Sequence, residues 1–399
     1  MPLMDRVLES GKKMMTGRTK VHTGFARRAA MLGGLALLAG CQVIPKPATQ
    51  APATPADNAP QANVLPSDAG RHRVALLVPM SGPNAAIGQA ISNATTMALL
   101  DTNAQNLRIT TYDTANGAGS AASKAVLDGN RLILGPLLAD DVVAVAGVAR
   151  PAKVPMITYS NDVGVADRDV FVMGQAPGQS IARVIGYAKS QGVGRIGAII
   201  PTSAYGQRVT GALTDAARAA GVAVTGVETY ERGNTSVISA TRRLLAKGPV
   251  DALLIADGAR IALQAAPVAG STRLLGTELW SGEGSLVRSP AMHGAWFASV
   301  SDRRFGQFEQ SYRKRFGTAP ARLATLGYDS VLLTLNVART WQPGTLFPTA
   351  KLYDRDGFIG LDGVFRFNQF GVAERAMEVR EVATGSFTTV SPAPTRFTP

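Results

Sequence analysis

Few side chains in this 399-residue sequence could carry covalent chemistry, and their placement narrows what that chemistry could be. Cys41 is the one cysteine, and it follows Leu38-Ala39-Gly40 directly. The three histidines, His22, His72 and His293, are too scattered for a Cys/His zinc pattern. Neither a Gly-x-Ser-x-Gly nucleophile elbow nor a phosphate loop ending in Gly-Lys-Ser/Thr occurs. Gly117-Ala118-Gly119-Ser120-Ala121-Ala122 matches a dinucleotide fingerprint only in outline, because Tyr112 to Asn116 separates the preceding strand from the first glycine. Asp113, Asp257 and Glu283 each follow an apolar run. They leave a carboxylate-pair hydrolase open beside the plainer reading as turn and cap residues. The chain is therefore read as a binding or contact protein rather than an enzyme, with no cofactor and no metal.

Polar residues suited to gripping a ligand sit in loops after apolar runs. These are Ser81, Gly82 and Pro83; Gly135 and Pro136; Ser160 and Asn161; Tyr205; and the carboxylates Asp257 and Glu283. Loops that lead into helix N-termini offer backbone N–H groups to carboxylates and phosphates. The same residue types cap helices and make turns in any α/β fold, so both readings stand for each residue taken singly.

The elements that must position them are legible as alternating runs. Apolar stretches at 74–79, 107–112, 132–134, 154–159, 170–173, 195–200, 222–230, 251–256, 273–279 and 295–300 predict strands covered on both faces. Alanine-rich stretches at 85–102, 119–129, 140–149, 179–191, 206–220, 235–247 and 259–268 predict the helices between them. Such alternation implies parallel sheets with right-handed crossovers. Ten strands suit two sheets better than one, with a first crossing near Gly174–Gly178 where Pro177 and two glycines interrupt the pattern. In these sheets ligands lie beyond the carboxyl ends of the strands.

The N-terminal part reads as an export and anchoring device. Ala29 to Gly40 is a 12-residue apolar run behind Arg27-Arg28. A bilayer span needs about 20 residues, so the run suits a removable secretory signal. Leu38-Ala39-Gly40-Cys41 resembles a bacterial lipobox, which implies that Cys41 is acylated on sulfur and becomes the mature N-terminus. The alternative is a leader cut elsewhere and an ordinary thiol. Of the net charge of +13, residues 1–40 carry +5, leaving a mild basic excess of +8 that is not by itself a nucleic-acid signature. Gln42 to Gly70, with six prolines and seven alanines, predicts an unfolded linker. In extended polyproline form it would span roughly 90 Å.

Arg303-Arg304 and Arg313-Lys314-Arg315 flank Phe305, Phe308, Tyr312 and Phe316. Basic and aromatic residues together are compatible with a nucleic-acid surface. The helical spacing of the rings favours an amphipathic helix docked on the sheet.

Ordered motifs over about residues 73–385 resemble the Leu/Ile/Val-binding type of periplasmic solute-binding protein. They are Leu77-Val78-Pro79-Met80-Ser81-Gly82-Pro83 with Gly88, Ile133-Leu134-Gly135-Pro136-Leu137, and Tyr205-Gly206 after Ile199-Ile200-Pro201. Arg315-Phe316-Gly317, Gly327-Tyr328-Asp329 and Gly360-Leu361-Asp362-Gly363 before Phe365-Arg366-Phe367-Asn368 complete the series. The resemblance implies a two-lobed α/β fold, each lobe a parallel sheet flanked by helices, with three interlobe crossings. It places 73–176 and 299–345 in lobe 1, 177–298 and 357–390 in lobe 2, and 391–399 in a loose tail. These follow a signal peptide over 1–40 and the acylated cysteine with its linker over 41–72. Amino-acid-binding relatives carry hydroxyl residues where this chain has Ala139 and either Asn161 or Asp162, and Asp162 would repel a carboxylate.

The Gly-Pro-Leu loop, lipobox and Pro/Ala linker together are similar to lipoprotein activators of penicillin-binding proteins. That resemblance implies an outer-membrane lipoprotein facing the periplasm and held in the membrane by the Cys41 lipid. Its partner would be a penicillin-binding protein (peptidoglycan synthase), with a small-molecule ligand in the cleft as a further possibility and no nucleic acid. The alternative is a lipid-anchored binding protein serving an ABC permease.

Overall fold

The computed structural model describes residues 70–397; Cys41, the signal segment and the linker up to Ala69 lie outside the described residues. In β1 (His72–Val78) five consecutive apolar side chains are fully buried. Their alternation serves two cores at once. Val74, Leu76 and Val78 point to one cluster, and Ala75 and Leu77 to another. β2 (Leu107–Asp113), β3 (Leu132–Leu134), β4 (Met156–Thr158) and β5 (Val170–Val172) complete a parallel sheet of order β2-β1-β3-β4-β5. Of its helices, α2 (Ala118–Leu127) and α3 (Ala139–Ala149) cover the Ala75/Leu77 face. The other face is covered by α1 (Ala85–Asp101) and the late helix α9 (Ala324–Ala338).

The second lobe repeats the plan. Its strands are β6 (Arg195–Pro201), β7 (Ala223–Tyr230), β8 (Ala252–Ile255), β9 (Arg273–Gly276) and β10 (Trp296–Val300), joined in parallel. α4 (Pro177–Ser190) and α5 (Ala204–Ala220) pack on one face, α6 (Ser236–Ala246) and α7 (Ala259–Ala269) on the other. Two antiparallel strands, β14 (Met377–Ala383) and β15 (Ser386–Ser391), extend the sheet beyond β10. The sequence reading has no counterpart for this antiparallel edge.

Three placements differ from the sequence reading. First, residues 357–375 do not join lobe 2. They form a small antiparallel sheet of β11 (Phe358–Gly360), β12 (Gly363–Phe367) and β13 (Ala373–Arg375). Phe358, Phe365 and Phe367 are buried in the lobe 1 core, and burial of three rings outweighs proximity in sequence to β14. Second, the segment after Ser391 is not loose as far as Phe397. Pro392 to Thr395 line a cavity of about 640 Å³, and Phe397 stacks on the Arg366 guanidinium at 4.5 Å. Third, the basic-aromatic segment is α8 (Phe305–Phe316), but its rings dock on a helix rather than on a sheet. Phe308 and Tyr312 pack against Ala90, Ala94 and Met97 of α1.

Lobe-to-lobe crossings run through 173–176, through 301–304 and at Ala376, and buried charges tie them together. Asp362 accepts hydrogen bonds from Arg322 Nη1 (2.7 Å), Thr325 Oγ1 (3.0 Å) and Gln175 Nε2 (3.2 Å). Arg375 donates to the Met173 carbonyl at 2.7 Å and stands 3.9 Å from Asp362. Asp329 accepts the backbone N–H of Leu361 at 2.6 Å. Burial, and then the neighbouring Asp362 charge, push the Asp329 pKa up to about 7.

A raised carboxyl pKa contributes stability below its unfolded value near 4, and that contribution is lost as pH rises towards 7. Asp329→Asn is therefore expected to gain stability relative to the native chain as pH rises from about 4 towards 7, and to level off above. Urea unfolding of both proteins across that range checks the slope; parallel curves would refute it.

Candidate functional site

The carboxyl ends of the two parallel sheets face each other, because loops from both meet there. On lobe 1, Asp113 at the end of β2 organises the loop after β1. Its Oδ1 accepts the N–H of Met80 (2.7 Å) and of Ala115 (2.9 Å), and Ser81 Oγ donates to Oδ2 at 2.9 Å. The Met80 N–H, then that of Ala115, hold the Asp113 carboxyl below the ordinary range. Ser81, Gly82 and Pro83 are exposed on this loop.

Gly135 and Pro136 are buried and serve packing instead. Gly135 has φ of +98°, and a Cβ there would stand 2.1 Å from the Leu77 carbonyl oxygen, so only glycine fits. The peptide between Gly135 and Pro136 is cis. The Pro136 carbonyl accepts Thr158 Oγ1 and Tyr159 N–H, binding the third-strand loop to the fourth. Ser160 is buried too, its hydroxyl oxygen accepting the Asp162 N–H at 3.0 Å. Asn161 and Asp162 reach further. Arg208 on α5 donates to Asp162 Oδ2 at 3.1 Å and to Asn161 Oδ1 at 3.2 Å, from the opposite lobe.

On lobe 2, Tyr205 follows β6 at the start of α5, whose first turn is capped by Ser203 accepting the Gly206 N–H. The Tyr205 hydroxyl donates to Glu278 Oε1 at 2.9 Å and lies 3.0 Å from Thr277 Oγ1. Ser180 Oγ pairs with Glu278 Oε2 and also faces the Pro177 carbonyl at 3.0 Å. Burial raises the Glu278 pKa, and the hydrogen bonds from Ser180 and Tyr205 oppose that rise. Asp257 Oδ2 accepts Arg232 Nε at 2.7 Å and the Tyr230 hydroxyl, while Oδ1 accepts the Gly258 N–H at 2.8 Å. The Arg232 guanidinium lies 5.9 Å from the centre of the Tyr205 ring.

Tyr205 and Asp257 are thus brought together, and with them Tyr230, Arg232, Thr277 and Glu278, which the sequence reading does not single out. Glu283 lies apart, exposed in the turn after Trp280. Glu278 takes the buried position instead, because β9 stops at Gly276 rather than running to Leu279. As the first carboxylate after β9, Glu278 was the available signal. The cavity of about 760 Å³ lined by Val163, Asp167, Tyr353 and Phe370 includes none of these cleft residues. Among the described residues no cluster of His, Cys, Asp and Glu could hold a metal ion, and no helix is long and apolar enough to cross a membrane.

Known proteins match this architecture. An uncharacterized protein of Rickettsia prowazekii, RP748, is 25% identical over 173 residues, 43% of this chain and 46% of its own length. The chain thus spans about half the length of that curated relative. Among solved structures, a putative branched-chain amino acid ABC transporter protein from Rhodospirillum rubrum superposes with a TM-score of 0.70 at 19% identity. The match covers 80% of this chain and 100% of that one. A leucine binding protein, LivK, from Thermotoga maritima gives 0.64 at 20% identity, covering 80% and 98%. At such identities the likeness speaks for the fold, the two-lobed Leu/Ile/Val-binding type. The profile of the family described as Periplasmic binding protein matches residues 72–386, and the chain belongs to that family.

Proposed function

We propose that this protein is a lipid-anchored regulator in the bacterial cell envelope that stimulates a peptidoglycan synthase of the penicillin-binding protein class by contact. The observation that carries this reading is the cleft wall, where Asn161 and Asp162, one of which stands where amino-acid-binding relatives carry a hydroxyl residue, are both engaged by Arg208 of the other lobe. Placement on the periplasmic face of the outer membrane, through a lipid on Cys41, belongs to the same proposal.

The test is a glycan-polymerisation assay with a detergent-solubilised synthase, with and without the purified lipoprotein. Several-fold stimulation, together with retention of the synthase in a pull-down, is expected. Absence of both would overturn the reading. Cys41→Ala should abolish incorporation of labelled palmitate and release the protein from the membrane fraction.

A second reading, a binding protein serving an ABC transporter, is favoured by the buried acids and tyrosines at the lobe 2 strand ends and by structural neighbours described as leucine or branched-chain amino acid proteins. Calorimetry with free amino acids separates the two: micromolar binding would favour the carrier.

A further inference from the structure

A hinged two-lobed body closes over a solute when closure is more favourable with the solute than without it. In this protein two bonds from Arg208 join the walls, while its Nε is buried without a partner. The Asp162 carboxylate is divided between two tasks. Oδ1 accepts the Gly164 N–H at 2.9 Å and so fixes the 3-10 turn Val163–Val165, while Oδ2 accepts Arg208 Nη1. Asn161 Oδ1 takes the second arm of the same guanidinium, Nη2. Two parallel donors of one rigid fork therefore grip two adjacent acceptors across the cleft, a geometry to which arginine is suited and lysine is not. Side-chain exposures of 24% for Arg208 and 28% for Asp162 place the pair in partial shelter, where screening is weaker than on an open surface. The neighbouring wall groups Ser160, Tyr205, Asp257 and Glu278 each have a partner within their own lobe, so the Arg208 fork is the contact that joins the two walls.

We propose that the fork of Arg208 on Asn161 and Asp162 is a latch that holds the two lobes closed without a solute. The inference goes beyond the synthase reading, since it concerns the cleft's own equilibrium whatever partner the closed body meets. Any small molecule entering the cleft has to displace the latch, and its affinity is reduced by that competition.

The test is an interlobe distance measurement by pulsed electron spin resonance. Spin labels go on Asn116→Cys, in the loop after β2, and Glu231→Cys, in the loop after β7. The full chain is used in detergent with Cys41→Ala, because Cys41 is the only native thiol. Without added ligand, the parent is expected to show one short, narrow distribution. Arg208→Ala, which removes both arms, should lower the closed-to-open ratio by on the order of tenfold, Asp162→Asn, which leaves the Asn161 arm, should lower it by less, and the double variant should go no further than Arg208→Ala. Should Arg208→Ala fail to fold, Asp162→Asn reads the same contact from the other side. Single variants that keep the parent distribution, or a double variant whose effect is the sum of the two, would overturn the latch.

Discussion

Asp362→Ala is expected to cost about 3–5 kcal/mol of folding stability, the range for breaking a buried ion pair by removing one partner. The carboxylate is fully buried and accepts from Arg322, Thr325 and Gln175, with Arg375 at 3.9 Å. Its removal leaves two guanidinium groups sheltered from water with their nearest acid gone. Arg322 retains Asp302 at 3.5 Å, and Arg375 retains the Met173 carbonyl, so neither is wholly stranded. The loss should nevertheless far exceed that from Arg366→Ala, which breaks the half-exposed pair with Glu374 and is expected to cost under about 1 kcal/mol. Urea unfolding of the two variants side by side makes the comparison. Equal losses would mean that the crossings are not held by these charges.

The second large effect concerns the floor of lobe 2. Trp280→Ala is expected to destabilise by about 3–5 kcal/mol. The indole is fully buried, packs 6.0 Å centre to centre from Phe297, and donates from Nε1 to the Asp257 carbonyl at 2.8 Å. It lies so close over Gly276 that a Cβ at that position would stand 2.2 Å from the ring, so the residue before it in the fold has been reduced to hydrogen to admit it. Truncation removes the ring, empties the space and leaves the carbonyl behind Asp257 without its donor. Trp280→Phe should recover more than half of the loss while still lacking the N–H. A truncation costing less than about 1 kcal/mol would show that the floor collapses without penalty.

Much of this architecture is legible in the sequence. The buried run Val74–Val78 and most of its counterparts announce sheets covered on both sides, the edge strands β2 and β7 being more exposed than their sequences suggest, and the alanine-rich stretches between them announce the helices. What resisted reading has physical causes. Arg208 and Asp162 are 46 residues apart and on different lobes, and nothing local in either segment marks a partner. Glu278 hides in a run that reads as continued strand, because the chain turns at Gly276 to seat Trp280. β11 to β13 alternate too briefly to declare which lobe they join, and the decision is made by Phe358, Phe365 and Phe367, whose burial is a tertiary fact. Ser81, Gly135 and Pro136 illustrate the ambiguity of loop residues: one is exposed on a loop tied to Asp113, and the other two are consumed by packing.

The placement of β11 to β13 has a consequence for biogenesis. Phe358, Phe365 and Phe367 close a core begun by Val74, so the first lobe cannot finish until the final tenth of the polypeptide has emerged. Contacts so distant along the chain are slow to form, and the unfinished surface stays sticky meanwhile.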